Sequence, residues 1–258
     1  MTALSTQTML ERNSAGVNVA LRRLATGKKL QSGADGPAEL ISAERLQAEI
    51  RALESYEKTL RRADSNAAIA EAHAGQVSDM VVELHGLVVS SANEAGMTDA
   101  EVQANQAQID ALSSSIRRAT SDAVTSLDRV SLPDSGTAQA QQTLSDTATS
   151  VASLASGGAN SLASGDFAAA TAVIDSAVQS VATIRGDIGS YQRYTVQPGI
   201  RSAQVGIENL TEARSILVDT DYAAEMANYN RFSTLRTSDI KTLKIAQQQS
   251  STVLELLR

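Results

Sequence analysis

The sequence contains no cysteine, no tryptophan and only two phenylalanines. Without cysteine there is no disulfide and no thiolate metal site. Aromatics make up 3% of the chain against 42% hydrophobic residues, so a core must be built from Ala, Leu, Val and Ile instead of large rings. That composition suits helix-on-helix seams, where thin side chains let backbones approach. Proline occurs three times in 258 residues, which leaves long helices unbroken. Cations are scarce too: 22 Lys and Arg stand against 29 Asp and Glu, for a net charge of −7. A nucleic-acid partner is not expected, because that binding rests on a basic face. No uninterrupted run of about 18 apolar residues marks a membrane span. The opening MTALSTQTMLERNSAGVNVALRRL lacks a basic start followed by an apolar block, so neither membrane insertion nor a cleaved signal peptide is expected.

What the chain does have is helical periodicity. Leu10, Val17, Leu21 and Leu24 are spaced seven, four and three, one apolar seam on a helix. The stretch LATGKKLQSGADGPAEL, Leu24 to Leu40, interrupts it. Gly27 is placed to end the helix, with Lys28 and Lys29 where the macrodipole favours cations. Gly33 and Gly36 keep the chain irregular, and Pro37 suits the first turn of the next helix. From Ala38 to about Ala95 no proline intervenes, and Ala43, Leu46, Ile50, Leu53 and Leu60 follow a coiled-coil pattern. As one helix this stretch would be roughly 85 Å long, which predicts a rod.

Asn93 to Gly96 reads as the end of that helix, and Thr98 with Glu101 as a capping box for the next. Val102, Ile109, Leu112 and Ile116 line one face of this returning helix. DRVSLPDSG, Asp128 to Gly136, predicts a turn or small hairpin. Thr137 to Gly165 is rich in Ser, Ala, Thr and Gly and is expected to be an exposed tip or connector. Pattern returns with Phe167, Ile174, Val178, Val181, Ile184 and Ile188, and continues past Pro198, expected to kink the helix, through Ile200, Ile207, Leu210 and Leu217. The chain ends with Val253, Leu254, Leu256 and Leu257 crowded before Arg258. Both termini are thus amphipathic helices joined to longer ones through polar breaks. Apolar seams at both ends would be exposed on a monomer, and identical copies are the economical cover.

No arrangement of catalytic or metal-ligating residues stands out. His73 and His85 are twelve residues apart on one predicted helix, about 120° apart in projection, and cannot share a metal. Asp219 and Asp221 read as helix capping instead of a metal pair. No nucleophile elbow, phosphate loop or zinc motif is found. No cofactor and no enzymatic activity are expected.

These residues resemble the bacterial flagellin family. The resemblance rests on Leu24, Gly27, Lys29, Leu30, Asp35, Ala38 and Leu40 in the break, and on IGSYQRYTV from Ile188. It continues through Glu208-Asn209-Leu210, Ala213-Arg214-Ser215 and DTDYAAE from Asp219, and ends on Val253-Leu254 and Leu256-Leu257-Arg258. Residues 128–165 have no clear counterpart. The resemblance implies an elongated antiparallel helical bundle that polymerises with identical subunits into a swimming filament outside the cell. It implies a plan of residues 1–31 and 219–258 as an inner tube, 32–127 and 166–218 as an outer tube, and 128–165 as a short connector. Gly27, Gly33, Asp35, Gly36 and Pro37 would form the spoke between tubes. Leu10, Val17, Leu21, Leu24, Val253, Leu254, Leu256, Leu257 and Arg258 would assemble the inner helices. Leu46, Ile50, Leu53, Leu60, Ile200, Ile207, Leu210 and Leu217 would pack the outer ones. Hook-associated and cap proteins, and an export chaperone at the C-terminal helix, are the implied partners. Many flagellins carry two Arg and a Glu that a vertebrate immune receptor reads; Glu83, His85 and Gly86 stand at the matching positions, without those cations. Residues 137–164 offer hydroxyls for O-glycans, with no rule that selects among them. The alternatives are a hook–filament junction protein of the same fold and a soluble coiled-coil adaptor.

Overall fold

The computed structural model describes residues 2–92, 98–130, 132 and 136–256. The chain is almost entirely helical, with long antiparallel helices packed together. In order these are α1 (Thr2–Thr26), α2 (Pro37–Ala92), α3 (Asp99–Leu127), α4 (Gly136–Ala152), α5 (Phe167–Tyr191), α6 (Gln197–Val218) and α7 (Tyr222–Leu256). Two compact units result, Leu53–Val205 and Met1–Ala52 with Gly206–Arg258.

In the Leu53–Val205 unit, α2, α3, α4 and α5 alternate in direction. Cross-links show it: the Asn66 amide donates to the Arg129 carbonyl and that of Asn105 to Ser91 Oγ. On the other side of α2, Arg185 pairs with Glu71 at 3.1 Å, the Gln197 amide reaches Asp64 at 3.1 Å and that of Gln204 reaches Glu57 at 2.9 Å. Two apolar clusters fill the interior. One gathers Val77, Val81, Leu84 and Val88 with Ile109, Ile116, Ile174 and Val181. The other gathers Ala67, Ala70, Leu127, Leu144, Ile184, Ile188, Val196 and Ile200, with Leu60 half-buried against it.

α3 begins as its sequence predicts. Thr98 Oγ1 accepts from the Glu101 amide, and the Glu101 carboxylate accepts from the Thr98 amide at 2.7 Å. The Thr98 amide and, to a lesser extent, its hydroxyl both donate to the Glu101 carboxylate and hold it below the usual range. Asn93 to Gly96, read as the preceding helix end, lie outside the described residues. So do Ser131 and Pro133 to Ser135 of the expected turn; Asp128 and Arg129 on its near side do turn.

The connector differs from expectation. Gly136–Ala152 is a helix that buries Ala140, Leu144, Thr147 and Val151. Their spacing of four, three and four is a helical stripe, hidden in sequence because two of the four positions are Ala and Thr. The Ser/Gly-rich loop after it is also held. Leu154 and Leu162 join the core, Asp110 accepts from the Ser156 amide at 2.8 Å, and the Leu162 amide donates to Gln106 Oε1 at 2.9 Å. Burial works to raise the Asp110 pKa, but the hydrogen bonds from Ser156 and Gln106 outweigh it and leave the group below its usual value.

At Pro198 the structure also adjusts. A π-helical turn, Gln192–Val196, joins α5 to α6. The buried positions run Ile184, Ile188, Tyr191, Val196, Ile200, Ala203, with one gap of five. A π turn carries one extra residue per turn, so it keeps Val196 on the core side. It also places Pro198 in the first turn of α6, where its missing N–H costs little. An 18-residue window within Phe167–Val218 reaches a mean hydropathy of 1.4, apolar and long enough by composition to cross a membrane. Polar residues interrupt this window, so it contains no uninterrupted apolar run of that length. The buried Ile174, Val181, Ile184 and Ile188 of this stretch serve the bundle core.

Candidate functional site: the joint and the paired terminal helices

The other unit is organised by α1 and α7, the first and last helices, which run antiparallel. The Asn13 amide donates to Asp239 at 2.6 Å, and Arg23 faces Glu225 at 3.6 Å. Gly16 lies flush under the Phe232 ring: a Cβ there would stand 2.8 Å from it. The seam is narrower than the sequence pattern implied. Val17 and Ala20 are buried, while Leu10 and Leu24 are half-buried and Leu21 is 46% exposed. Val17, Ala20 and Leu24 follow each other at three and four; Leu21 sits about 100° away from Ala20 and faces outward. α7 exposes Met226, Leu235, Ile240 and Ile245, and α1 exposes Leu4 and Met9. Val253, Leu254 and Leu256 fall in the last turn of α7; Leu257 and Arg258 lie outside the described residues.

The joint is built from the two polar breaks. Gly27 ends α1 with φ +67, a left-handed conformation that favours glycine. The Lys29 amide donates to the Val218 carbonyl at 2.7 Å, and the Thr220 amide to the Gly27 carbonyl at 2.9 Å. Lys28 and Asp219 thereby form an antiparallel β-bridge. No local signal could have announced it, since the partners lie far apart in sequence. The Asp35 carboxylate closes the next loop by accepting from the Ser32 amide and hydroxyl and the Gln31 amide. The Ser32 and Gln31 amides, with a smaller contribution from Arg22, hold its carboxyl below the usual range. Leu30 is buried beside these turns and Pro37 opens α2; Gly33 is exposed and Gly36 half-buried. On the returning side Asp221 caps α7, accepting from the Ala223 and Ala224 amides.

Of the expected outer-helix residues in this unit, Ile50 is buried and Leu46, Ile207, Leu210 and Leu217 are half-buried. In the other unit Leu53 is half-buried and Ile200 buried. There Glu83 and Gly86 are exposed, and His85 lies 3.8 Å from Asp175. Among the described residues no group of three or more His, Cys, Asp or Glu could hold a metal ion.

Fold and joint together define a class: an all-α chain with one unit a helical bundle and the other an antiparallel pair of the terminal helices that leaves apolar residues exposed. The chain matches the bacterial flagellin N-terminal helical region over residues 1–124 and the bacterial flagellin C-terminal helical region over residues 171–257. It belongs to the bacterial flagellin family. It is 25% identical over 279 residues to the flagellar filament 30.7 kDa core protein of Treponema maltophilum, covering 100% of this chain and 98% of that one. Flagellin FlaB2 of Treponema pallidum is 25% identical over 281 residues, with the same coverage. The flagellin of Salmonella typhimurium is 38% identical over 85 residues, 33% of this chain and 17% of that protein. Flagellins polymerise into the extracellular flagellar filament for motility, and the role of this chain is structural, not enzymatic.

Proposed function

We propose that α1 and α7, within residues 1–31 and 219–258, form an inner layer of the filament. Residues 32–127 and 166–218 form the layer around it, and the joint is the radial link. The observation that carries this reading is the apolar surface of the terminal pair: Leu4 is 71% exposed and Ile245 57%. Burial of such surface against further copies would yield about 25 cal/mol per Å², set against the ordering of the chain ends. The spoke residues Gly27, Gly33, Asp35, Gly36 and Pro37 fit a link that must leave one helix and enter another. Torque applied at the filament base becomes thrust through the helical shape of the polymer. Family membership supports export through the hollow appendage, handling by a chaperone at the C-terminal helix, and contacts with hook-associated and cap proteins.

The test is seeded assembly followed by electron microscopy, comparing the intact chain with one lacking Ser251 to Arg258. Long tubes from the intact chain and none from the truncated one are expected. Discrete dimers from both would replace the filament by a small coiled coil.

A further inference from the structure

In a chain of net charge −7, Arg22, Arg23, Lys28 and Lys29 fall within eight residues. The structure places them at the joint, where Arg22, Arg23 and Lys29 border a hollow of about 220 Å³ with Gln31, Ser32 and Asp35. Two of the acids at hand are already engaged. Glu225 faces Arg23, and Asp35 accepts three hydrogen bonds from its own loop. Arg22, Lys28 and Lys29 make no ion pair among the described residues, and all three are exposed. The dipole at the end of α1 accounts for one or two cations in its last turn, not for a hollow bordered by three.

The same unit carries an opposite surface. Glu208 and Glu212 stand one turn apart on α6, with Ile216 a further turn on. Both carboxylates are exposed and without an ion pair among the described residues, and Ile216 is 73% exposed. This strip lies away from the residues α6 turns inward, Ile207, Leu210 and Val218. It is an unpartnered acidic strip ending in an apolar knob.

We propose that the cationic hollow at the joint of one copy docks on the Glu208–Glu212 strip of a second copy. The inference rests on the filament reading and deepens it. The two patches are different surfaces of one chain, so their contact is heterologous, the kind of contact an open helical polymer requires. Complementary charge fixes register and speeds encounter. It also makes assembly sensitive to ionic strength, because exposed charges are screened over about 10 Å at 0.1 M salt and about 3 Å at 1 M.

The experiment uses two charge-reversed full-length variants, Arg22→Glu with Lys29→Glu, and Glu208→Lys with Glu212→Lys, each checked for helicity by circular dichroism. Assembly is read by pelleting and electron microscopy after seeding. Each variant alone should need about tenfold more protein than wild type to form tubes, since like charges then meet at every contact. An equal mixture should assemble close to the wild-type threshold, because each variant's joint meets the other's strip. Wild-type behaviour from either variant alone, or no rescue in the mixture, overturns the proposal while leaving the filament reading intact. A wild-type chain that forms no tubes overturns both. Should a reversed variant fold poorly, the neutral pair Arg22→Gln with Lys29→Gln serves instead. Its assembly threshold should respond less to added NaCl than that of wild type, and an equal response counts against the docking.

Discussion

The two units use the same residues, Ala, Val, Leu and Ile, to opposite ends. Leu53–Val205 is one continuous segment whose apolar stripes meet in the interior, with Leu84, Ile109, Ile174 and Ile188 fully enclosed. The unit made from the chain ends encloses little: Val17, Ala20, Leu30, Ala43, Ile50 and Val218 are its buried apolar residues among those described. Its α1 and α7 leave large apolar side chains facing outward. A bundle of four helices can satisfy its seams alone; a pair cannot, because each helix has only one neighbour to bury against. One unit encloses its large apolar residues, and the other leaves many of its own exposed.

The comparison is broken most directly by cavities. Ile188→Ala should destabilise the isolated subunit by about 3 kcal/mol, whereas Val17→Ala should cost about 1 kcal/mol before assembly. Urea unfolding of the subunit measures both, and equal losses would mean the two units are equally filled. A second test addresses the joint. Gly27→Val forces a β-branched residue to φ +67 and brings its Cβ within 2.8 Å of the Tyr222 hydroxyl, at about 2 kcal/mol. Faster amide exchange confined to the α1–α7 pair is expected; a change of equal size in Leu53–Val205 would overturn this.

Smaller effects sharpen the picture. Deleting Thr195 together with Pro198→Ala should convert the π turn to α-helix while keeping the buried stripe in phase, with stability within about 1 kcal/mol of wild type. Unfolding of the variant would show that the turn does more than maintain register. The smallest effect concerns Asp35. Its pKa is lower folded than unfolded, so its contribution is fully present above the ordinary carboxylate range and is lost as pH falls through the folded value. Protection of the Gln31 and Ser32 amides, measured against their intrinsic exchange rates, should therefore fall in acid, and Asp35→Asn should remove that pH dependence.

How much of this was legible in the sequence follows the range of each interaction. The end of α1 at Gly27, the start of α2 at Pro37, the Thr98–Glu101 box and the Asp221 cap are local devices and could be read directly. α4 was missed because its buried face uses Ala140 and Thr147 beside Leu144 and Val151, so hydropathy alone gave little contrast. Leu21 shares the apolar pattern of Val17 and Leu24 but is exposed in the subunit, because spacing alone does not say which part of a seam faces the chain's own partner helix. The Lys28–Asp219 bridge was invisible, since it depends on two breaks meeting.

That meeting has a consequence in time. Asn13 and Asp239 are 226 positions apart, so the pair they join closes a loop containing nearly the whole polypeptide. Contacts of such long range form late in folding, and a polypeptide still missing its last helix cannot make them at all. If this pair is the surface that meets the next subunit, as proposed, that surface is complete only once both ends of the chain have arrived.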